Sequence, residues 1–172
     1  MLSLLALIAV YENSRKDRFE TNIFQLLNLH NNLIKTLSYS VTNNWIREEG
    51  GEEITETLIY RGRDVFGQLT HELMCGPDSI RFRSRDLLSE IKKGYEIFFS
   101  ILNRKNALGN YFRNLYHIIR YIDESNFSVE YKKRFTRIVR AQLSNDELIL
   151  LLCNGLSTYG ESFTKLIYKG YL

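Results

Sequence analysis

RAQLSNDELILLLCN, Arg140 to Asn154, joins a basic helical tail to a run of leucines with almost no linker. Glu147 follows Ser144 at the spacing of a capping box. In that motif the serine hydroxyl accepts from an amide at the helix start, and the carboxylate reaches back to the amide of the cap residue. One helix therefore stops here and another begins. Leu148 to Leu152 is apolar on every side of a helix, which predicts a central, buried segment.

The same periodicity extends outward in both directions. Ile23, Leu26, Leu27, His30, Leu33, Ile34 and Leu37 recur at helical spacing, predicting a helix from near the N-terminus to about Leu37. Between Ser40 and Tyr60 the texture changes to β-branched and aromatic residues around Gly50-Gly51, which predicts one exposed β-hairpin turning at Glu49 to Glu52. A helix opens at Gly62-Arg63-Asp64 and breaks at Cys75-Gly76-Pro77-Asp78. Ser84 is the expected cap of a helix over Arg85–Leu102, with Leu87, Leu88, Ile91, Tyr95, Phe98, Phe99 and Leu102 facing the core. Asn106 to Ile122 buries Leu108, Tyr111, Phe112, Leu115, Ile118, Ile119 and Ile122. After a loop, Ser128 caps the helix carrying Tyr131, Phe135, Ile138 and Val139. The expected fold is mostly α: a single helical bundle-like domain over residues 21–172, with one inserted β-hairpin at about residues 40–60.

Hydrophobic residues make up 44% of the 172 and charged residues 25%, as in a folded globular chain. Charge is unevenly placed. Residues 1–60 hold 5 basic and 8 acidic side chains, whereas residues 61–140 hold 16 and 9. The middle is electropositive, either as a solvated surface or as one that faces a polyanion. Cys75 and Cys153 are too far apart in sequence to suggest a disulfide framework and point to a reducing, cytoplasmic setting. MLSLLALIAV, within an N-terminal segment of residues 1–20, is too short to cross a bilayer, which takes roughly twenty apolar residues. Arg15, Lys16 and Arg18 follow it as basic residues flank a membrane helix on its cytoplasmic side. Residues 1–18 are thus a buried helix end, a membrane-edge anchor at the inner face of the cytoplasmic membrane, or the stump of a longer transmembrane segment.

Few residues announce chemistry. His71-Glu72 lacks the second histidine of a zinc helix, and neither the His nor the Cys spacing fits a metal, so no metal or cofactor is expected. Arg113, His117 and Arg120 form one basic stripe, and Lys133, Arg137 and Arg140 a second. If their helices pack antiparallel, the stripes make one groove suited to nucleic acid or another phosphate-bearing ligand; otherwise they are two wet faces. His30, on an apolar seam, is either a hydrogen-bonded core residue or a site residue. RNLYH, Arg113 to His117, is similar to the active-site motif of HEPN ribonucleases, but fewer residues separate its Arg and His than in that family. Each residue of spacing turns a side chain by about 100° on a helix, so the imidazole is displaced.

Four stretches together resemble the phage abortive infection proteins of the AbiC-like group: FQLLNLHNNLI (Phe24–Ile34), GRDVF (Gly62–Phe66), YFRNLYHIIRYID (Tyr111–Asp123) and RAQLSNDELILLLCNGLS (Arg140–Ser157). The resemblance implies a bacterial antiphage protein, an effector or sensor of abortive infection, and carries over no catalytic residue. Its recurring polar positions fall on His30, Asn31, Gly62, Arg63, Tyr111, Arg113, Arg140, Gln142, Ser144 and Glu147, to which His117 is added from the basic stripe. The expected site has Arg113 and Arg140 sharing a pocket, with His30 and Gln142 orienting them. Expected partners are a phage component or companion defence protein, with self-association open. Two other classes stay open: a HEPN-like ribonuclease, and a non-catalytic interaction module whose arginines hold helices together.

Overall fold

The computed structural model describes residues 3–46, 53–76, 80 and 86–170. Among them, seven α-helices, one 3-10 turn and a two-stranded hairpin follow one another along the chain. Helix α1 (Leu4–Thr36) runs into β1 (Ser38–Ile46), which pairs antiparallel with β2 (Glu53–Arg61). Helices α2 (Asp64–Cys75), α3 (Leu87–Ser100), α4 (Leu102–Asp123), α5 (Val129–Ala141) and α6 (Asn145–Leu156) follow. A 3-10 turn (Thr158–Gly160) leads into α7 (Glu161–Ile167).

Helix α4 is the axis of the body. It packs against α1, α3, α5, α7 and β1, and its Leu108, Leu115, Ile118, Ile119 and Ile122 are fully buried. The periodicity of that helix reads correctly along its whole length, and its start lies at Leu102, ahead of the expected Asn106. Helix α1 buries only its second half, from Phe19 through Ile23, Leu27 and His30 to Ile34. Its first turns stand free of the body, with Leu4 73% and Leu5 78% exposed. Among the described residues no helix is long and apolar enough to cross a membrane.

The hairpin sits where expected, with Tyr39 opposite Tyr60 and Thr42 opposite Thr57. Its expected turn at Glu49 to Glu52 lies outside the described residues. Gly62 makes the corner between β2 and α2 at φ +58°, a backbone that L side chains rarely adopt, and its amide donates to Leu37 O at 3.0 Å. Ser128 caps α5 as predicted. The expected cap Ser84 is outside the described residues, and Asp86 caps α3 by accepting from the amide of Ser89. Three residues placed on the core face, Leu87, Leu88 and Leu102, are 49%, 62% and 68% exposed. They occupy helix ends, beyond the reach of the neighbouring helices. Leu152 is likewise exposed, so α6 is central along one side and not all round.

Candidate functional site

The capping box forms as read: the Ser144 hydroxyl accepts from the Glu147 amide at 3.2 Å, and the Ser144 amide donates to Glu147 Oε2 at 2.7 Å. The carboxylate does more than cap. Tyr111, from α4, donates its hydroxyl to Glu147 Oε1 at 3.1 Å. Arg63, from the turn after β2, donates to Glu147 Oε2 through one arm and to the Gln142 carbonyl through the other at 2.9 Å. Glu147 is completely buried. Burial and the adjacent carboxylate together push the Tyr111 hydroxyl far above its ordinary range, so it remains a donor.

His30 extends the cluster from α1. Its ring lies 5.0 Å from that of Tyr111, and Nδ1 bonds Asn114 Oδ1 at 2.8 Å. Burial lowers its pKa below 6.5, against the opposing pull of Asn114 and Glu147. The neutral ring, donating from Nδ1 to the amide oxygen, leaves Nε2 as a buried lone pair without a partner among the described residues. His30, Arg63, Tyr111, Ser144, Glu147 and the backbone of Gln142 therefore do come together, with Gly62 setting the turn that aims Arg63. What they build is a clamp that joins α1, the β2–α2 corner, α4 and α6. Its carboxylate has no exposed surface. Asn31 is half-buried on α1 next to His30.

The remaining candidates separate. Arg113, His117 and Arg140 are exposed. His30 and Gln142 orient neither arginine: His30 bonds Asn114, and the Gln142 carbonyl serves Arg63. Arg113 lines a cleft of about 560 Å³ on the far side of α4, and Lys133, Arg137 and Arg140 do not. The two basic stripes thus do not share this cleft. Arg120 is paired with Glu124 at 2.6 Å.

The cleft has a definite chemistry. Lys105, Gly109 and Arg113 line it from one face of α4, Phe99 from α3, Tyr159 from the 3-10 turn and Phe163 from α7. Among the described residues, no acidic side chain lines it. Arg113 donates to Asn110 Oδ1 at 3.0 Å, and among the described residues neither Arg113 nor Lys105 is paired with a carboxylate. Sequence reasoning missed Lys105, Gly109 and Tyr159, although a glycine inside the apolar repeat of α4 was a legible irregularity.

Residues 103–171 match the family model described as "Putative phage abortive infection protein". The match begins within α4 and takes in Tyr111, Arg113 and Glu147, but not His30 or Arg63. All of the cleft lining except Phe99 falls inside it. No curated protein and no solved structure matches the chain. Among the described residues, no three His, Cys, Asp or Glu side chains gather as a metal site.

A second buried charge pair was also unforeseen. Arg104 Nε donates to Glu72 Oε2 at 2.9 Å, and the Tyr39 hydroxyl donates to the same oxygen at 2.8 Å. The Arg104 guanidinium lies 4.4 Å over the Phe98 ring. This cluster fastens β1 and α2 to the start of α4.

Proposed function

We propose that the protein acts in phage abortive infection as an effector or sensor, and that the cleft along α4 is its working surface. One observation carries the reading: the family-matched segment builds this cleft and places in it an exposed arginine and lysine with no acidic partner among the described residues. Arginines committed to holding this fold together are paired with buried carboxylates, as Arg63 and Arg104 are. Arg113 is not used that way, which favours a site over a plain interaction module. The ribonuclease reading is weakened, because His117 lies outside the cleft that holds Arg113. Exposed Leu4, Leu5, Ile8 and Val10 support contact of the N-terminal segment with the inner face of the membrane.

The test is phage plaquing on bacteria expressing the protein in its native operon, with protein level followed by immunoblot. Arg113→Ala should lose protection at normal abundance, while Arg140→Ala, outside the cleft, should retain it. Full protection by Arg113→Ala would end the cleft reading.

A further inference from the structure

Gly109 is anomalous. It lies in the middle of α4, where glycine costs about 1 kcal/mol relative to alanine. Gly67 in α2 is also uncrowded, its nearest neighbour being the Asp146 carboxylate at 3.8 Å, but it does not line the cleft, and two further helical glycines are explained by the fold's own packing. A Cβ at Gly94 would come within 2.8 Å of Ile80, and one at Gly155 within 3.3 Å of the Thr164 hydroxyl. A Cβ at Gly160, where α7 begins, would stand 2.1 Å from the Asn154 carbonyl. At Gly109 it would meet nothing within 4 Å. The protein's interior does not require this glycine, yet it opens the floor of the cleft.

Its surroundings indicate what the floor could receive. Lys105 and Arg113 lie one turn before and one turn after Gly109 on the same helix face, roughly 12 Å apart along the axis. Both side chains are long enough to converge above the bare backbone between them. A guanidinium and an ammonium that have no carboxylate partner among the described residues suit phosphate oxygens. The rest of the lining is aromatic and amide. Tyr159 is 48% exposed, and its ring lies 4.8 Å from that of Phe99 at an interplanar angle of 53°. Asn106 and Asn110 present amide groups of the kind that read the edge of a base. The cleft volume of about 560 Å³ is within the span of small-molecule sites.

We propose that this cleft binds a free nucleotide, its phosphates above Gly109 between Lys105 and Arg113 and its base against Tyr159. The proposal rests on the cleft being the working surface and names its ligand class. It makes the antiphage protein one that responds to, or acts on, the nucleotide pool.

Isothermal titration of the full chain with ATP, GTP, CTP and UTP tests it, alongside inorganic triphosphate, adenosine and a single-stranded RNA decamer. At least one nucleotide should bind, and at least 10-fold more tightly than triphosphate or adenosine. Arg113→Ala and Lys105→Ala should each weaken that binding 10-fold or more without moving the melting temperature of the ligand-free protein. Gly109→Leu, which fills the floor, should abolish binding while the protein stays folded. Tyr159→Ala should weaken nucleotide but not triphosphate, and Tyr159→Phe should restore it. No nucleotide binding, binding untouched by Gly109→Leu, or triphosphate bound as tightly as any nucleotide would each overturn the proposal. So would a decamer bound more tightly than every free nucleotide, which would assign the cleft to a nucleic-acid strand. The plaquing result separates the two levels: if Arg113→Ala loses protection but no nucleotide binds, the cleft reading survives and only the ligand class falls.

Discussion

Glu147→Ala tests the claim that this carboxylate is a clamp and not merely half of a helix cap. Glu147 is fully buried and takes the Tyr111 hydroxyl, the Arg63 guanidinium and the Ser144 amide. Truncation leaves the buried Tyr111 hydroxyl without an acceptor, at about 1–3 kcal/mol. Loss of the capping box adds about 1 kcal/mol. Arg63 contributes less than a buried cation would, because its side chain is 43% exposed and water can take over its charge. The deleted methylene adds about 0.8 kcal/mol of lost burial. The sum is about 4 kcal/mol, which for a chain of this size lowers the melting temperature by roughly 8–16 °C. Urea unfolding followed by circular dichroism measures it. A loss below about 1 kcal/mol would show that the cap is the whole of the residue's role. A double-mutant cycle with Glu147→Gln and Tyr111→Phe should show a coupling of about 1 kcal/mol between the two side chains. Additivity in that cycle would mean the Tyr111 bond contributes nothing.

Two further predictions follow from burial and space. Gly109→Ala should raise unfolding stability by about 0.5–1 kcal/mol in urea titrations, since the new methyl meets nothing and the helix gains propensity; destabilisation would mean the position is not open. His30 has a folded pKa below 6.5, so the unfolded chain takes up its proton first, and stability should be full above pH 6.5 and fall as the pH drops through it. His30→Gln, which does not titrate, should flatten that part of the stability profile between pH 7.5 and 5.5, and an unchanged slope would remove His30 as its source.

Local rules carried much of the fold. The capping box at Ser144 and Glu147, the Ser128 cap, the hairpin and the buried face of α4 all depend on neighbours within a few residues, and each was legible in the letters. Leu87, Leu88 and Leu102 misled because periodicity gives the direction of a side chain but not whether another helix extends far enough to cover it. Leu152 shows the same limit on a helix that is apolar all round. The clamp was legible only as a set of separate residues. Arg63 and Glu147 are 84 positions apart, and each alone reads as a surface charge. Even Glu147, recognised as a cap, gave no sign that Tyr111 and Arg63 would converge on the same carboxylate.

The cleft shows why the polar positions that resemble a family need not mark its working surface. Arg63, Tyr111 and Ser144 all bond Glu147, and His30 packs on Tyr111 and bonds Asn114, so their removal is expected to cost stability first. A working surface should instead contain groups the fold leaves unsatisfied. Arg113 and Lys105, without acids, and Gly109, without neighbours, fit that description. A glycine inside an amphipathic repeat is visible in any sequence, but its meaning depends on what would touch a Cβ there. Where packing would reject the methyl, as at Gly160, the glycine serves the fold. Where the methyl would meet open space beside two cations that lack a carboxylate partner among the described residues, the local cost in helix propensity is better explained by something that must approach the backbone from outside.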